Sequence, residues 1–151
     1  MSEQPPYGYN QGGGYPPPPP GSPSGKTKVM NLDYNVAGML CYLPICCVNL
    51  IFSIIWLASE PKENRFLRFH ALQSLLLIGA AFVVFVILWI LGIAIAVAPG
   101  PGGSAGWGLI TLIEWAFCVL LLVVAVLGCV KAYQGAMWKL PIIGDIAEKN
   151  S

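Results

Sequence analysis

Apolar positions run together in three long stretches, and polar ones collect between them. Residues 35–58 carry no charge, residues 72–98 carry none, and residues 107–130 carry one, Glu114. A helix needs about 20 residues to cross a hydrocarbon core of about 30 Å, so each stretch is long enough. Only helices satisfy their backbone polar groups locally in lipid, which makes all three helical. Short Val and Ile runs mimic strands, but the length of each stretch decides for helix. Pro44 interrupts the first stretch in Leu43-Pro44-Ile45. It removes a backbone donor and predicts a kinked span, with a re-entrant hairpin as the alternative.

Upstream the pattern vanishes. Residues 1–25 hold eight of the 13 prolines, including Pro16 to Pro20, and their only hydrophobic members are Met1, Tyr7, Tyr9 and Tyr15. Such a segment buries too little apolar surface to offset its ordering entropy. Residues 1–28 therefore read as a disordered, low-complexity, proline-rich tail. It is a solvated tether or, in a sharper reading, a ligand for a Pro-binding domain. No secretory signal peptide or lipidation motif is visible. The rest, residues 32–148, reads as one membrane domain, closed by an interfacial segment over residues 133–148 around Tyr133, Trp138 and Lys139.

Composition sharpens the picture. The 151 residues are 56% hydrophobic and 10% charged, with a net charge of +1. A soluble domain is about 25% charged, so a soluble enzyme is excluded. Near-zero charge gives no reason to expect nucleic acid as a partner. The fold class is an all-α integral membrane protein with three transmembrane helices. With three spans, the loop at 59–70 and the C-terminal region share a side and hold six basic residues, against Lys26 and Lys28 opposite. The positive-inside rule then places the N-terminal tail and the Pro-Gly loop at 99–106 outside.

Chemistry-bearing residues are few. Phe66, Phe69, His70, Gln73 and Leu77 share one helix face, and Arg65, Arg68 and Leu72 another. Arg65 and Arg68 suit lipid phosphates or plain interfacial anchoring. His70, Gln73 and Ser74 suit hydrogen bonding to a partner helix. Arg65, Arg68, His70 and Gln73 are thus the candidate recognition site at the inner edge. Glu114, in the outer third of its helix, is the candidate intramembrane polar site, with Asp33, Tyr34 and Asn35 as expected neighbours. Small residues at spacing four (Gly92 and Ala96, then Gly128, Ala132 and Ala136) allow close helix approach. The five cysteines form no Cys-x-x-Cys pair and read as helix packing. No carboxylate pairs with Glu114, no nucleophile sits beside a base, and no phosphate loop is present, so no enzyme, cofactor or metal is expected.

Three motifs in order carry a resemblance: Leu40-Cys41-Tyr42-Leu43-Pro44, the run Glu63-Asn64-Arg65-Phe66-Leu67-Arg68-Phe69-His70-Ala71-Leu72-Gln73-Ser74, and Ala132-Tyr133-Gln134-Gly135 with Lys139-Leu140-Pro141-Ile142-Ile143-Gly144-Asp145. The chain resembles small bacterial and archaeal membrane proteins with a domain of unknown function, related to the chloroplast inner-envelope import component Tic-Twenty. The resemblance implies a multi-pass protein of the prokaryotic plasma membrane. It also implies a Pro-, Gly- and Tyr-rich tail in the cytoplasm, against the charge count above. The chloroplast relative has four spans and belongs to a translocating assembly. The leading expectation is a non-enzymatic helix-packing subunit, as a homo-oligomer or with other membrane proteins, in contact with the lipid bilayer. An oligomeric channel or transporter lined by Glu114 and His70 is the alternative, and a tail-based adaptor the third. No small-molecule substrate is identifiable.

Overall fold

A computed structural model of the chain describes residues 25–45, 47–97 and 103–151. It is all-helical, with α1 (Tyr34–Leu40), α2 (Val48–Ser59), α3 (Arg65–Ala96), α4 (Gly103–Tyr133) and α5 (Ile143–Asn150). Among the described residues the only β feature is an isolated bridge between Lys26 and Asp33. The tail reading for residues 1–24, and Cys46, lie outside the described residues. Residues 25–28, expected in the tail, are instead ordered. The Thr27 amide bonds the Leu32 carbonyl at 2.8 Å, and the Tyr34 amide bonds the Gly25 carbonyl at 3.1 Å. Met30 and Asn31 both take positive φ at the turn between them. That pair of left-handed residues matches the tight turn that joins two extended arms.

Among the described residues two helices, not three, are long and apolar enough to cross a membrane: Arg65–Ala96 and Ala105–Tyr133. At 1.5 Å per residue the 32-residue α3 is about 48 Å long, comparable with a bilayer including its headgroups. The helices run antiparallel. The Phe85 and Phe117 rings meet edge to face at 5.3 Å. Toward the far end the Trp107 ring lies against Gly92, where an added Cβ would sit 2.9 Å from the ring.

The first apolar stretch, expected as one kinked span, is a helical hairpin. α1 has seven residues and α2 has twelve. α1 descends beside both long helices: Gly38 faces Phe66, His70 and Ala132, and Tyr42 then lies against Gly128. The chain turns between α1 and α2, and α2 climbs back. The Trp56 Nε1–H donates to the Ala37 carbonyl at 3.1 Å, and α2 ends beside the start of α3. Asp33 and Glu60, the flanks of the stretch, therefore sit at the same end of the molecule. Pro44 does more than kink. Amides 41, 42, 43 and 45 all bond carbonyls two or three residues back, and Pro44 has no amide to orphan at the tip. Cys47 begins α2 from the left-handed region.

This changes the orientation count. Lys26, Lys28 and the C-terminal region all lie at the end where α3 begins. All eight basic residues of the chain therefore gather at one end, and the connection at 97–102 has none. The three-span placement of the N-terminus opposite the first loop does not hold. It required the first stretch to cross.

The core sits at this end as well. Ala37, Cys41, Tyr42, Trp56, Phe66, Leu67, Ala71 and Ala132 form one buried cluster. Beyond Ser74 the flanks of α3 lie open except toward α4, with Phe82, Trp89 and Ile90 exposed. That is the pattern of a helix pair bathed in lipid, at its narrowest where only two helices remain.

Candidate functional site

The signature run on α3 is surrounded by the other four helices, with Ala132 of α4 in the same buried cluster as Phe66, Leu67 and Ala71. α1 and α2 pack on its first turns and α5 lies against it. Phe66, Leu67, Phe69, His70, Ala71, Gln73 and Ser74 are all buried. The helix starts at Asn64, whose side-chain oxygen accepts from the Leu67 amide at 3.3 Å, an N-cap that satisfies one free helix donor.

At the centre are three side chains. Gln73 Nε2 donates to the Tyr42 hydroxyl at 2.9 Å and to the Trp138 carbonyl at 3.0 Å, while its Oε1 accepts from the Leu140 amide at 3.2 Å. His70 Nδ1 lies 3.2 Å from the same Tyr42 hydroxyl. That hydroxyl already accepts from Gln73, so its single proton is best used toward His70 Nδ1, placing the imidazole proton on Nε2. Nε2 has no hydrogen-bond partner among the described residues. The imidazole is ringed by the edges of Phe66, Phe69 and Tyr42, with centroids 4.6, 5.1 and 5.6 Å away. Ser74 Oγ donates to the Cys41 carbonyl. One amide thus ties together the hairpin turn, α3 and the segment that leads into α5.

His70 and Gln73, expected to face one partner together, do so, and the partner lies within the chain. Arg65 is exposed on the first turn of α3, free to reach lipid headgroups. Arg68 departs from expectation. Its Nη1 donates to the Leu57 carbonyl at 3.0 Å and the Glu60 carbonyl at 3.3 Å, so it closes the C-terminus of α2 instead of pointing at lipid. The last carbonyls of a helix have no intrahelical donor, and a guanidinium one helix away supplies it. Glu114 is half-exposed on α4. Its expected neighbours Asp33, Tyr34 and Asn35 are at the other end, because α1 starts there. Gly128 lies at the level of Tyr42, and the fourteen residues from Glu114 to Gly128 make about 21 Å of helix. The structure does not bring Glu114 and His70 together.

Four participants escaped the sequence reading. Tyr42 was visible only as part of a motif. Its partners lie 28 and 31 residues away, beyond any helical spacing. The Trp138 carbonyl and Leu140 amide are backbone groups with no sequence signal. Glu60 is buried, accepting from the Lys28 amide at 2.8 Å and from Asn64 Nδ2 at 2.9 Å, and so fastens the 25–33 turn to the α2–α3 corner. The small residues at spacing four serve within the chain: Gly128 receives the Tyr42 ring and Ala132 faces Gly38.

The C-terminal segment doubles back on itself. Lys139 Nζ and Glu148 Oε2 pair at 2.6 Å, and that carboxylate holds the ammonium above the usual lysine range. Ile142 is the centre of a tight turn with φ 66° and ψ −58°, closed by the Ile143 amide on the Pro141 carbonyl at 2.7 Å. This is the rarer, strained form of the three-residue turn.

No group of three or more His, Cys, Asp or Glu residues suited to a metal occurs among the described residues. The sequence pattern of a family described as the magnetosome magnetite crystal formation protein family matches residues 33–147. A UPF0132 membrane protein of Methanocaldococcus jannaschii is 40% identical over 128 residues, covering 84% of this chain and 96% of its own length. A second from the same organism is 37% identical over 120 residues, covering 80% of this chain and 71% of its own. A UPF0132 membrane protein of Archaeoglobus fulgidus is 36% identical over 117 residues, covering 76% and 92%. No solved structure matches.

Proposed function

The chain belongs to the magnetosome magnetite crystal formation protein family, and we propose that it is a non-enzymatic integral membrane protein that works by packing against other membrane-embedded chains. The observation that carries this reading is the use of the signature residues. Tyr42, Gln73 and Ser74 spend their polar atoms on bonds between elements, and His70 spends one ring nitrogen the same way. They make a rigid inner-end node and leave no side chain poised for substrate. The outer halves of α3 and α4 present bare apolar flanks in which lipid or another helix is the natural neighbour. From the names of the curated relatives we carry over only a membrane setting. The likeness to Tic-Twenty, resting on the Arg-Phe-x-Arg-Phe-His-Ala-x-Gln-Ser run, fits a subunit of a membrane assembly.

The proposed topology has two spans and a re-entrant hairpin, with both chain ends in the cytoplasm of a prokaryotic cell. The basic residues then count eight to none in favour of that side. His70 and Glu114 lie apart within one chain, so the alternative of an oligomeric channel lined by both has no observation here in its favour.

Two measurements test the proposal. Reporter fusions at the N- and C-termini should both read cytoplasmic, and an insertion at 99–102 should read outside. An N-terminal fusion that reads outside removes the two-span reading. Cross-linking in native membranes followed by affinity purification should give a discrete oligomer or a fixed partner. A chain that stays monomeric and alone removes the packing role.

A further inference from the structure

Two ordered segments at the basic end combine exposed cations with exposed large apolar side chains. In the 25–33 turn, Val29 is 41% and Met30 is 61% exposed, between exposed Lys26 and Lys28 on one side and exposed Asn31 on the other. In the C-terminal segment, Ile142 is 77% and Ile146 is 46% exposed, with exposed Lys139 and Lys149 nearby. An isoleucine held in strained backbone with its side chain pointing outward is not explained by packing within the chain. Both segments sit at the end of a membrane-crossing helix pair, where headgroups begin. Eight basic residues there face five acidic ones, Asp33, Glu60, Glu63, Asp145 and Glu148. Among the described residues one ion pair forms, Lys139 with Glu148. Arg68 is held by the carbonyls that end α2, and the exposed Lys26, Lys28 and Lys149 keep their charge for another partner.

We propose that these two segments form a collar that binds anionic phospholipid headgroups, with Met30 and Ile142 inserted among the upper acyl chains and Lys26, Lys28 and Lys149 on the lipid phosphates. Amphipathic surface elements rich in lysine bind in this way, by apolar insertion plus attraction to an anionic leaflet. The collar rests on the two-span reading in one respect, that both segments lie at the same membrane surface. It does not depend on which side that surface faces.

The test is lipid selectivity of the full chain in vesicles of equal parts phosphatidylglycerol and phosphatidylcholine, the same on both leaflets. Spin-labelled versions of each lipid report the motionally restricted fraction. Phosphatidylglycerol is expected to be favoured about threefold or more, falling as salt rises. In K26Q/K28Q/K149Q the preference should fall to near one with the melting temperature unchanged. Ile142→Gly should relieve the turn and raise the melting temperature while shortening the residence of the anionic lipid. Equal binding of the two lipids by the natural chain overturns the proposal, as does a preference that survives the triple substitution. Because the vesicle is symmetric, failure of the fusion test above leaves this outcome interpretable by itself.

Discussion

Gln73→Leu separates a structural node from an ornament. Leucine nearly conserves volume and keeps the helix, but removes three bonds: to the Tyr42 hydroxyl, the Trp138 carbonyl and the Leu140 amide. Interhelical hydrogen bonds in a membrane bundle average about 0.6 kcal/mol, so three set a floor near 2 kcal/mol. The Tyr42 hydroxyl keeps His70 as a partner, but the part-buried Trp138 carbonyl and the buried Leu140 amide are left unpaired. At about 1–3 kcal/mol each, those two orphans set a ceiling near 6 kcal/mol. The C-terminal segment has an escape, because peeling away lets water satisfy both groups. The loss should therefore settle at about 2–4 kcal/mol and appear first as undocking of residues 138–151. Reversible unfolding in mixed micelles gives the total. Trypsin cleavage after Lys139 gives the undocking, and should quicken well before the helices unfold. If the variant is as stable as the natural chain to within about 0.5 kcal/mol and is cleaved no faster, the node does not hold the segment.

Other outcomes follow from the same geometry. Gly128→Ala puts a Cβ 2.6 Å from the Tyr42 ring, so the ring must shift and the unfolding free energy should drop by about 1–3 kcal/mol. Arg68→Gln removes the donor to the Leu57 and Glu60 carbonyls, and hydrogen exchange in the last turn of α2 should accelerate with α3 and α4 unaffected. Glu114→Gln should leave folding unchanged in detergent, since the side chain is half-exposed and bonds no described residue. Lys139 has a raised pKa, so its pair with Glu148 contributes fully below the ordinary lysine value of 10.5 and fades only as pH rises through the higher folded value. Protease resistance of α5 should hold through mildly alkaline pH and fall above it.

The two long helices were legible in outline. The expected bounds 72–98 and 107–130 fall close to the observed Arg65–Ala96 and Gly103–Tyr133. α3 starts earlier than its uncharged stretch because the signature run, whose residues were placed on helix faces, forms its first turns under the neighbouring elements. The first stretch misled because an uncharged run from 35 to 58 suits a hairpin in lipid as well as a span. The signals were Pro44 near its middle, and Asn35 and Ser53, which turn inward within it. The pairing of His70 with Gln73 follows from helix periodicity alone. That Arg68 leaves its helical neighbour Arg65 for the carbonyls of α2 depends on tertiary placement, which periodicity does not carry. Gln73 reaches Tyr42, Trp138 and Leu140 across 31, 65 and 67 residues, separations no local pattern encodes.

The hairpin also governs how the chain enters a bilayer. In the proposed two-span topology α1 and α2 return to the side they left, and the only part to be carried through is the α3–α4 pair and its short connection. That passenger bears no lysine or arginine in the 29 positions from Phe69 to Val97, and a single carboxylate, Glu114, in the 27 positions from Ser104 to Val130. A carboxylate can shed its charge by taking up a proton for the crossing. An arginine has no such route. Insertion then requires the translocation of no fixed charge, and the basic end acts as the stop that keeps the rest behind.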